Sequence, residues 1–213
     1  MPILVAERRV TLEFSDLEKR IQLIGRPSRP PSRSSGVHQS GVLAYIARQI
    51  GILRPDEKDE EEYPLIWAMG QMWEEYIFSF YLEIDWQPGE RTVDAVTVTT
   101  DGLSLDDKCE FDSVPWDAPE LMNEEAKATF KGVATGEEFV KGQKWWMYRM
   151  QGAAACHVYG PRLSRWHVFH VRGDYKTFGP VYMQYVLRYS DKEVKQAWAM
   201  IQQNKHNAIP EAS

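Results

Sequence analysis

Asp101, Glu125 and Lys127, in the middle of the chain, are the residue types that phosphodiester hydrolysis draws on. That chemistry needs a hard divalent cation to polarise the phosphate and lower the pKa of an attacking water. Mg²⁺ takes oxygen ligands and keeps several waters, so two or three carboxylates suffice to hold it. A nearby lysine can hold or help deprotonate the water and offset charge in the transition state. Glu125 and Lys127 fall in "NEEAKATFK", residues 123–131. As a strand, this stretch puts Ala126, Ala128 and Phe130 on one face and Glu125, Lys127 and Thr129 on the other. Asp101, before Gly102, is expected at a hairpin turn whose carboxylate converges with Glu125 on one ion. The stretch between them is long, so Asp106 or Asp107 is an alternative ligand.

The spacing alone is weak. An acid two residues before a lysine also occurs at Asp56/Lys58, Asp106/Lys108, Asp174/Lys176 and Glu193/Lys195, as a sequence rich in charge produces by chance. Asp56/Lys58 lies in a charge-rich loop, and Glu193/Lys195 starts a helix, where i and i+2 do not share a face. Asp106/Lys108 and Asp174/Lys176 fall at strand ends. Only Glu125/Lys127 sits inside a strand with apolar residues opposite.

The elements that must position these residues follow from periodicity and punctuation. "AERRVTLEF" predicts a strand and "SDLEKRIQLI" a short helix, forming an N-terminal arm over 1–24. "GRPSRPPSRSSG" predicts an extended linker, taken as 25–37, ahead of a main domain over 38–213. Ser40 is the expected cap of a helix through "GVLAYIARQIGIL", and Pro64 opens a second over "PLIWAMGQMWEEYIFSFYLE". "TVDAVTVTT", 92–100, alternates as one strand, with "LSLDDKCEF" as its hairpin partner across Asp101-Gly102. A helix is expected over about 143–159, ending at Gly160-Pro161. "RWHVFHVRG" and "PVYMQYVLRYS" predict strands, and Ser190 caps a last helix. The fold class is therefore α/β, a mixed central sheet flanked by helices.

Composition bounds the rest. The 213 residues are 43% hydrophobic with eight Trp, ten Tyr and eight Phe, ample for one substantial core. Two cysteines, Cys109 and Cys156, exclude a disulfide framework and a four-cysteine zinc or iron–sulfur site. No apolar run reaches membrane-spanning length, so a cytoplasmic protein with no membrane partner is expected. The net charge of −6 counts mildly against a general nucleic-acid coat. Basic residues nevertheless concentrate over 141–176, where Lys141, Lys144, Arg149, Arg162 and Arg165 are candidate phosphate contacts among Trp145, Trp146 and Tyr148. His157, His167 and His170 suggest zinc, but two of them fall on opposite strand faces, which favours structural roles.

"TTDGLS" followed by "EAK" resembles the Asp-Gly and Glu-x-Lys elements of the PD-(D/E)XK nuclease superfamily. "GQMWEE", 70–75, is similar to the Gly-x-x-x-Glu helix of its lambda-exonuclease and RecB-type branch, and "YRMQ", 148–151, to that branch's Tyr-x-x-Gln. The resemblance covers roughly 38–204. It implies a restriction-endonuclease-like core in α-β-β-β-α-β order. It implies Mg²⁺, with Mn²⁺ able to substitute, on Glu74, Asp101, Glu125 and the Ala126 carbonyl, with Lys127 and Gln151 completing the site. The implied activity is DNA cleavage, as an exonuclease processing duplex ends in phage-type recombination or repair, working as a ring-like homo-oligomer. An endonuclease trimming DNA in phage head maturation is the alternative, as is a non-catalytic DNA-binding or virion-assembly protein. An annealing protein or virion component is a candidate partner for the arm. Thr100 stands where the family often has Pro, Ala155 where it often has a late Tyr (Tyr159 is a substitute), and the cysteines of the iron–sulfur relatives are missing.

Overall fold

The computed structural model describes residues 1–10, 36–53, 64–81, 88–105, 121–171 and 180–207. The expected helix at 15–24, most of the linker, the acidic run 56–62, Asp106, Asp107 and Cys109 lie outside the described residues. The fold is mixed α/β. Its larger sheet holds β1 (Ile3–Val10), β5 (Gly102–Leu105), β6 (Leu121–Thr129), β7 (Leu163–His170) and β8 (Val181–Arg188). Their spatial order is β1-β8-β7-β6-β5. Only β6 and β7 run parallel; the other neighbours are antiparallel. A parallel pair needs a crossover, here α3 (Gly136–Lys141) and α4 (Trp146–Tyr159). The first residues, expected as a separate arm, supply the edge strand β1.

Capping chemistry sets several helix ends. Thr135 and Glu138 form a capping box at α3, as do Ser190 and Glu193 at α5 (Asp191–Asn204). α4 stops where Gly160 turns left-handed at φ 101°. α1 (Gln39–Gln49) departs from expectation: the chain leaves β2 (Val37–His38) extended and turns helical at Gln39, so His38, not Ser40, holds the cap position.

The expected strand over 92–100 is instead a hairpin of β3 (Arg91–Val93) and β4 (Val96–Val98). Asp94 and Ala95 both adopt positive φ, 50° and 65°, the conformation of a tight two-residue turn. No glycine announces it. The turn is held from outside: Trp198 Nε1 donates to Asp94 Oδ2 at 3.1 Å and Lys205 Nζ to the Asp94 carbonyl at 2.8 Å. This hairpin joins β2 in a separate three-stranded sheet, and β5 pairs with β6 rather than with β4. Asp101 therefore sits where the chain crosses from one sheet to the other, not at the tip of a hairpin.

Alternation divides the core. On one face of the large sheet, Trp166, Val168, Met183, Tyr185 and Leu187 pack with Phe139, Trp145 and Ala153 under α3 and α4. On the other, Ala126, Ala128 and Tyr182 meet Trp73, Tyr76, Ile77 and Phe78. Those four lie on α2 (Pro64–Glu75) and the π-helix that continues it (Tyr76–Tyr81). Trp73 fixes α2 by donating Nε1 to the His167 carbonyl at 2.9 Å and stacking on Phe169 at 4.7 Å. Among the described residues, no helix is long and apolar enough to cross a membrane.

That second face also buries a charge cluster. Glu124 accepts from Arg165 Nε at 2.9 Å and meets His167 Nε2 at 2.9 Å, with Ser104 as a further donor. Tyr182 and Gln184 extend it: His167 Nδ1 is 2.6 Å from the Tyr182 hydroxyl, to which Gln184 donates at 2.7 Å. Burial pushes the Glu124 carboxyl up, but Arg165 and His167 outweigh it and hold the group at about 2, below the ordinary 4.5. A lowered folded pKa contributes stability above the unfolded value, lost as pH falls through the folded one. Glu124→Gln is expected to cost about 3 kcal/mol at pH 7 by denaturant unfolding, because Arg165 is left buried without its carboxylate. The gap between wild type and variant should narrow as the pH falls from 5 towards 2.

Candidate active site

The β5–β6 ladder ends at Gly102↔Glu124. Beyond that point the edge of β6 has no strand beside it in the described residues, and the Asp101 side chain takes over. Its Oδ2 accepts the Ala126 N–H at 2.9 Å and lies 3.1 Å from Lys127 Nζ. Lys127 also reaches Glu125 Oε2 at 3.0 Å, so one ammonium bridges two carboxylates. Gln151 Nε2 donates to the same Oε2 at 2.8 Å. Glu74, at the end of α2, completes the group from the opposite layer, close enough to interact electrostatically with Asp101, Glu125 and Lys127.

The five residues expected to form a site, Glu74, Asp101, Glu125, Lys127 and Gln151, are thus brought together from three elements and one junction. Glu75, their neighbour on α2, is exposed. Close approach of α4 puts Gln151 there. A Cβ at Gly152 would stand 2.8 Å from the Tyr189 hydroxyl, 2.9 Å from Trp166 Cζ2 and 3.1 Å from Ser164 Oγ, so only glycine lets the helix lie this near the sheet. Gln39 of α1 holds the next group back, donating to the Gln151 carbonyl at 3.2 Å. On the other side, Gly102 lets the Phe78 ring come to 3.3 Å of where a Cβ would be.

The electrostatics are lopsided. Glu125 is fully buried, while the Lys127 and Asp101 side chains keep 22% and 16% of their exposure, so the cluster opens to solvent on one side. Burial raises Glu125 to about 8 and the Asp101 charge adds to it, against the pull of Lys127. Burial and Asp101 likewise raise Glu74 to about 8. Burial works to lower Lys127, but Asp101 and Glu125 outweigh it and hold the ammonium above its ordinary range. Three carboxyl groups share one ammonium, a set of hard oxygen donors that has too little positive charge for all three to ionise. A divalent cation fits that deficit. Among the described residues no three His, Cys, Asp or Glu side chains stand as a ready metal cage; Lys127 bridges two of the candidates instead.

Several expected phosphate contacts are committed elsewhere. Arg149 is buried, and its Nη1 donates to the Phe139 carbonyl at 2.6 Å and the Gly142 carbonyl at 2.9 Å, tying the start of α4 to α3. Arg165 is buried against Glu124. Arg162 pairs with Asp191 at 2.6 Å, meets the Cys156 carbonyl in the last turn of α4 at 3.4 Å, and reaches the Gly160 and Pro161 carbonyls just beyond the helix. Lys141 and Lys144 are exposed; Lys141 pairs with Glu137 at 2.8 Å, and Lys144 Nζ lies 5.5 Å from the Trp145 ring centre. Trp145 and Tyr148, candidates for stacking on bases, are core residues. The histidines are dispersed: His167 on Glu124, His170 on the Lys131 carbonyl, His157 stacked on Trp198. The Tyr159 hydroxyl lies within reach of the Gly89 and Val98 carbonyls, and burial raises its pKa.

Sequence reasoning passed over Asn123, Thr100 and Ser164, which are buried behind Glu125. The signal was available in part. Asn123 shares the Glu125 face of β6 by alternation, and Thr100 adjoins Asp101.

Neither a protein-family model nor a curated protein matches the sequence. Among solved structures, the crystal structure of SSO0001 aligns at a TM-score of 0.41 and 10% identity, over 88% of this chain and 84% of that one.

The raised carboxyls set a pH dependence. Folded Glu74 and Glu125 hold their protons well above the ordinary value of 4.5, because burial and the Asp101 charge both oppose ionisation. Their contribution to stability is full below the unfolded value and is lost as pH rises through about 8. Without divalent metal, the melting temperature of the wild type is expected to fall between pH 6 and 9 by about 5 °C more than that of Glu125→Gln. Equal falls in the two proteins would contradict a raised pKa at Glu125.

Proposed function

We propose that this protein is a metal-dependent deoxyribonuclease with a PD-(D/E)XK core, and that the five-stranded sheet with its flanking helices is that core. The observation that carries the proposal is the meeting of Glu74, Asp101, Glu125, Lys127 and Gln151 in one partly solvent-open cluster short of positive charge. These are the positions on which the four sequence elements resemble the family, and they lie far apart in the chain.

Glu74, Asp101 and Glu125 would hold Mg²⁺ or Mn²⁺, with the Ala126 carbonyl as a further ligand. The bond from Ala126 N–H to Asp101 ties that carboxylate to the same strand position. The ion would supply polarisation of the phosphate and a more acidic water. Lys127 is already held by carboxylates on two sides; as a fixed cation at the open edge it would orient the water and offset charge on the phosphate. Gln151 fixes the rotamer of Glu125 through Oε2. Glu74 and Glu125 would give up their protons as metal enters, so binding is coupled to pH.

DNA is the proposed partner. Of the basic residues named, the exposed Lys141 and Lys144 suit phosphate contact, whereas Arg149 and Arg165 serve the fold. End-processing is the preferred form of the activity, and a closed oligomer would make it processive. Trimming of internal DNA uses the same residues.

Linear and circular duplex DNA incubated with Mg²⁺ tests the proposal. The wild type should degrade the linear form, and Glu125→Ala and Lys127→Ala should each lower the rate at least about a hundredfold. Cleavage of the circular form would favour an endonuclease. Equal loss with all three proteins would refute the assignment to this site, and intact DNA with all three would refute the nuclease assignment and leave a non-catalytic DNA-binding protein.

A further inference from the structure

We propose that Asn123, held by Thr100 and Ser164, is a positioning residue that sets the carboxylate of Glu125 for metal. This inference rests on the nuclease reading of the same site.

Asn123 lies two residues before Glu125 on β6 and on the same face, and is fully buried. Its amide has one acceptor and two donor hydrogens, and each has a place to go. Oδ1 accepts from the Thr100 hydroxyl in a short contact. Nδ2 donates to Ser164 Oγ on the neighbouring strand β7 at 2.9 Å. The second Nδ2 hydrogen reaches Glu125 Oε1 at 3.4 Å. The amide orientation follows from the Glu125 contact: turned over, Oδ1 would face Oε1 oxygen to oxygen, whereas the Thr100 and Ser164 hydroxyls can donate or accept.

Glu125 is thereby held from both oxygens. Gln151 and Lys127 take Oε2, and Asn123 takes Oε1 from behind. The Asn123 contact is the longest of the three, so it steers the oxygen more than it stabilises its charge. A neutral donor suits the place. An aspartate here would set a fourth carboxylate against Glu125, and a lysine would neutralise the charge that a metal needs.

Thr100 adds a link that a satisfied core amide would not need. It directly precedes Asp101, and its hydroxyl also lies 3.1 Å from the Gly102 carbonyl. Through Thr100, Asn123 therefore connects the chain directly before Asp101 to the side chain of Glu125. The two carboxylates are fixed relative to each other through one amide and one hydroxyl, independently of Lys127. With a cation bound beside Lys127, this link would keep the donor oxygens from spreading.

Partners that orient a metal-binding carboxylate typically change metal affinity ten- to a hundredfold when removed. The test measures Mn²⁺ binding to the full chain by titration calorimetry without DNA, then the Mg²⁺ concentration giving half-maximal cleavage. Asn123→Ala and Thr100→Val should each weaken Mn²⁺ about tenfold and raise half-maximal Mg²⁺ in step, with the rate at saturating Mg²⁺ falling less. Thr100→Ser, which keeps the hydroxyl, should bind Mn²⁺ like the wild type. The double variant should be no worse than the weaker single one, since both act through one amide. If Asn123→Ala fails to fold, the contrast between Thr100→Val and Thr100→Ser decides alone. Wild-type Mn²⁺ affinity in folded Asn123→Ala or Thr100→Val overturns the positioning role and leaves the nuclease reading standing. A wild type that binds no Mn²⁺ and cleaves no DNA overturns both.

Discussion

Two adjacent glutamates on one strand carry the logic of this protein. Glu124 and Glu125 are both fully buried, yet their carboxyls are driven apart, one to about 2 and the other to about 8. The strand itself is the cause, since successive side chains leave it on opposite faces. Glu124 faces Arg165 and His167, which supply the charge and donors it needs. Glu125 faces one lysine that it must share with Asp101, with Glu74 adding further negative charge. A satisfied buried carboxylate is a structural element. An under-neutralised one, opening to solvent beside others of its kind, is a candidate for chemistry. The same residue type thus serves both ends within two positions.

The rest of the fold reads as the means of holding that strand under tension from both sides. Pairing with β7 and with β5 fixes the register, and β5 stops short so that Asp101 can cap the exposed Ala126 N–H. Trp73 locks α2 to β7, which puts Glu74 at the rim. Gly152 lets α4 settle close enough for Gln151 to reach Glu125. Even the N-terminal strand contributes at a distance: Glu7 Oε2 accepts the Gly136 N–H at 2.8 Å, fixing the start of the crossover that leads to α4. A charged group in the interior survives only where such contacts over-determine its geometry.

Much of this was legible in the sequence because it rests on short-range patterns. The alternation in "NEEAKATFK" separated Glu125 and Lys127 from the Ala126/Ala128 face, and it removed Glu124 from the site. Ser190 with Glu193 and the Gly160 stop were written locally as well. Failures came where a distant partner decides. The Asp94-Ala95 turn lacks glycine and depends on Trp198 and Lys205, about a hundred residues away. Asp101-Gly102 has the composition of a hairpin tip, but β4 finds β2 and β3 while β5 finds β6. Arg149 and Arg165 looked like surface charge because composition does not reveal a buried carbonyl or a glutamate on the next strand. Asn123 was passed over for a similar reason: an amide announces no chemistry until its three contacts are seen together.

A chain with no use for a cation would gain by losing Glu125. Burying a carboxylate without adequate neutralisation costs free energy, and a glutamine there could still accept from Lys127 and Gln151 without bringing a charge. Asp101 has an independent duty at the Ala126 N–H, and Lys127 has a role only because the two carboxylates exist. Glu125 lacks such a duty: its contacts, to Asn123, Lys127 and Gln151, all arrange the carboxyl group rather than use it to hold the fold. Three groups are therefore spent on presenting a carboxyl group whose ionisation burial opposes. The same strand shows that the fold can neutralise a buried glutamate when it serves structure, because it does so for Glu124. Leaving Glu125 short of positive charge one residue later makes physical sense when a cation from solvent completes it.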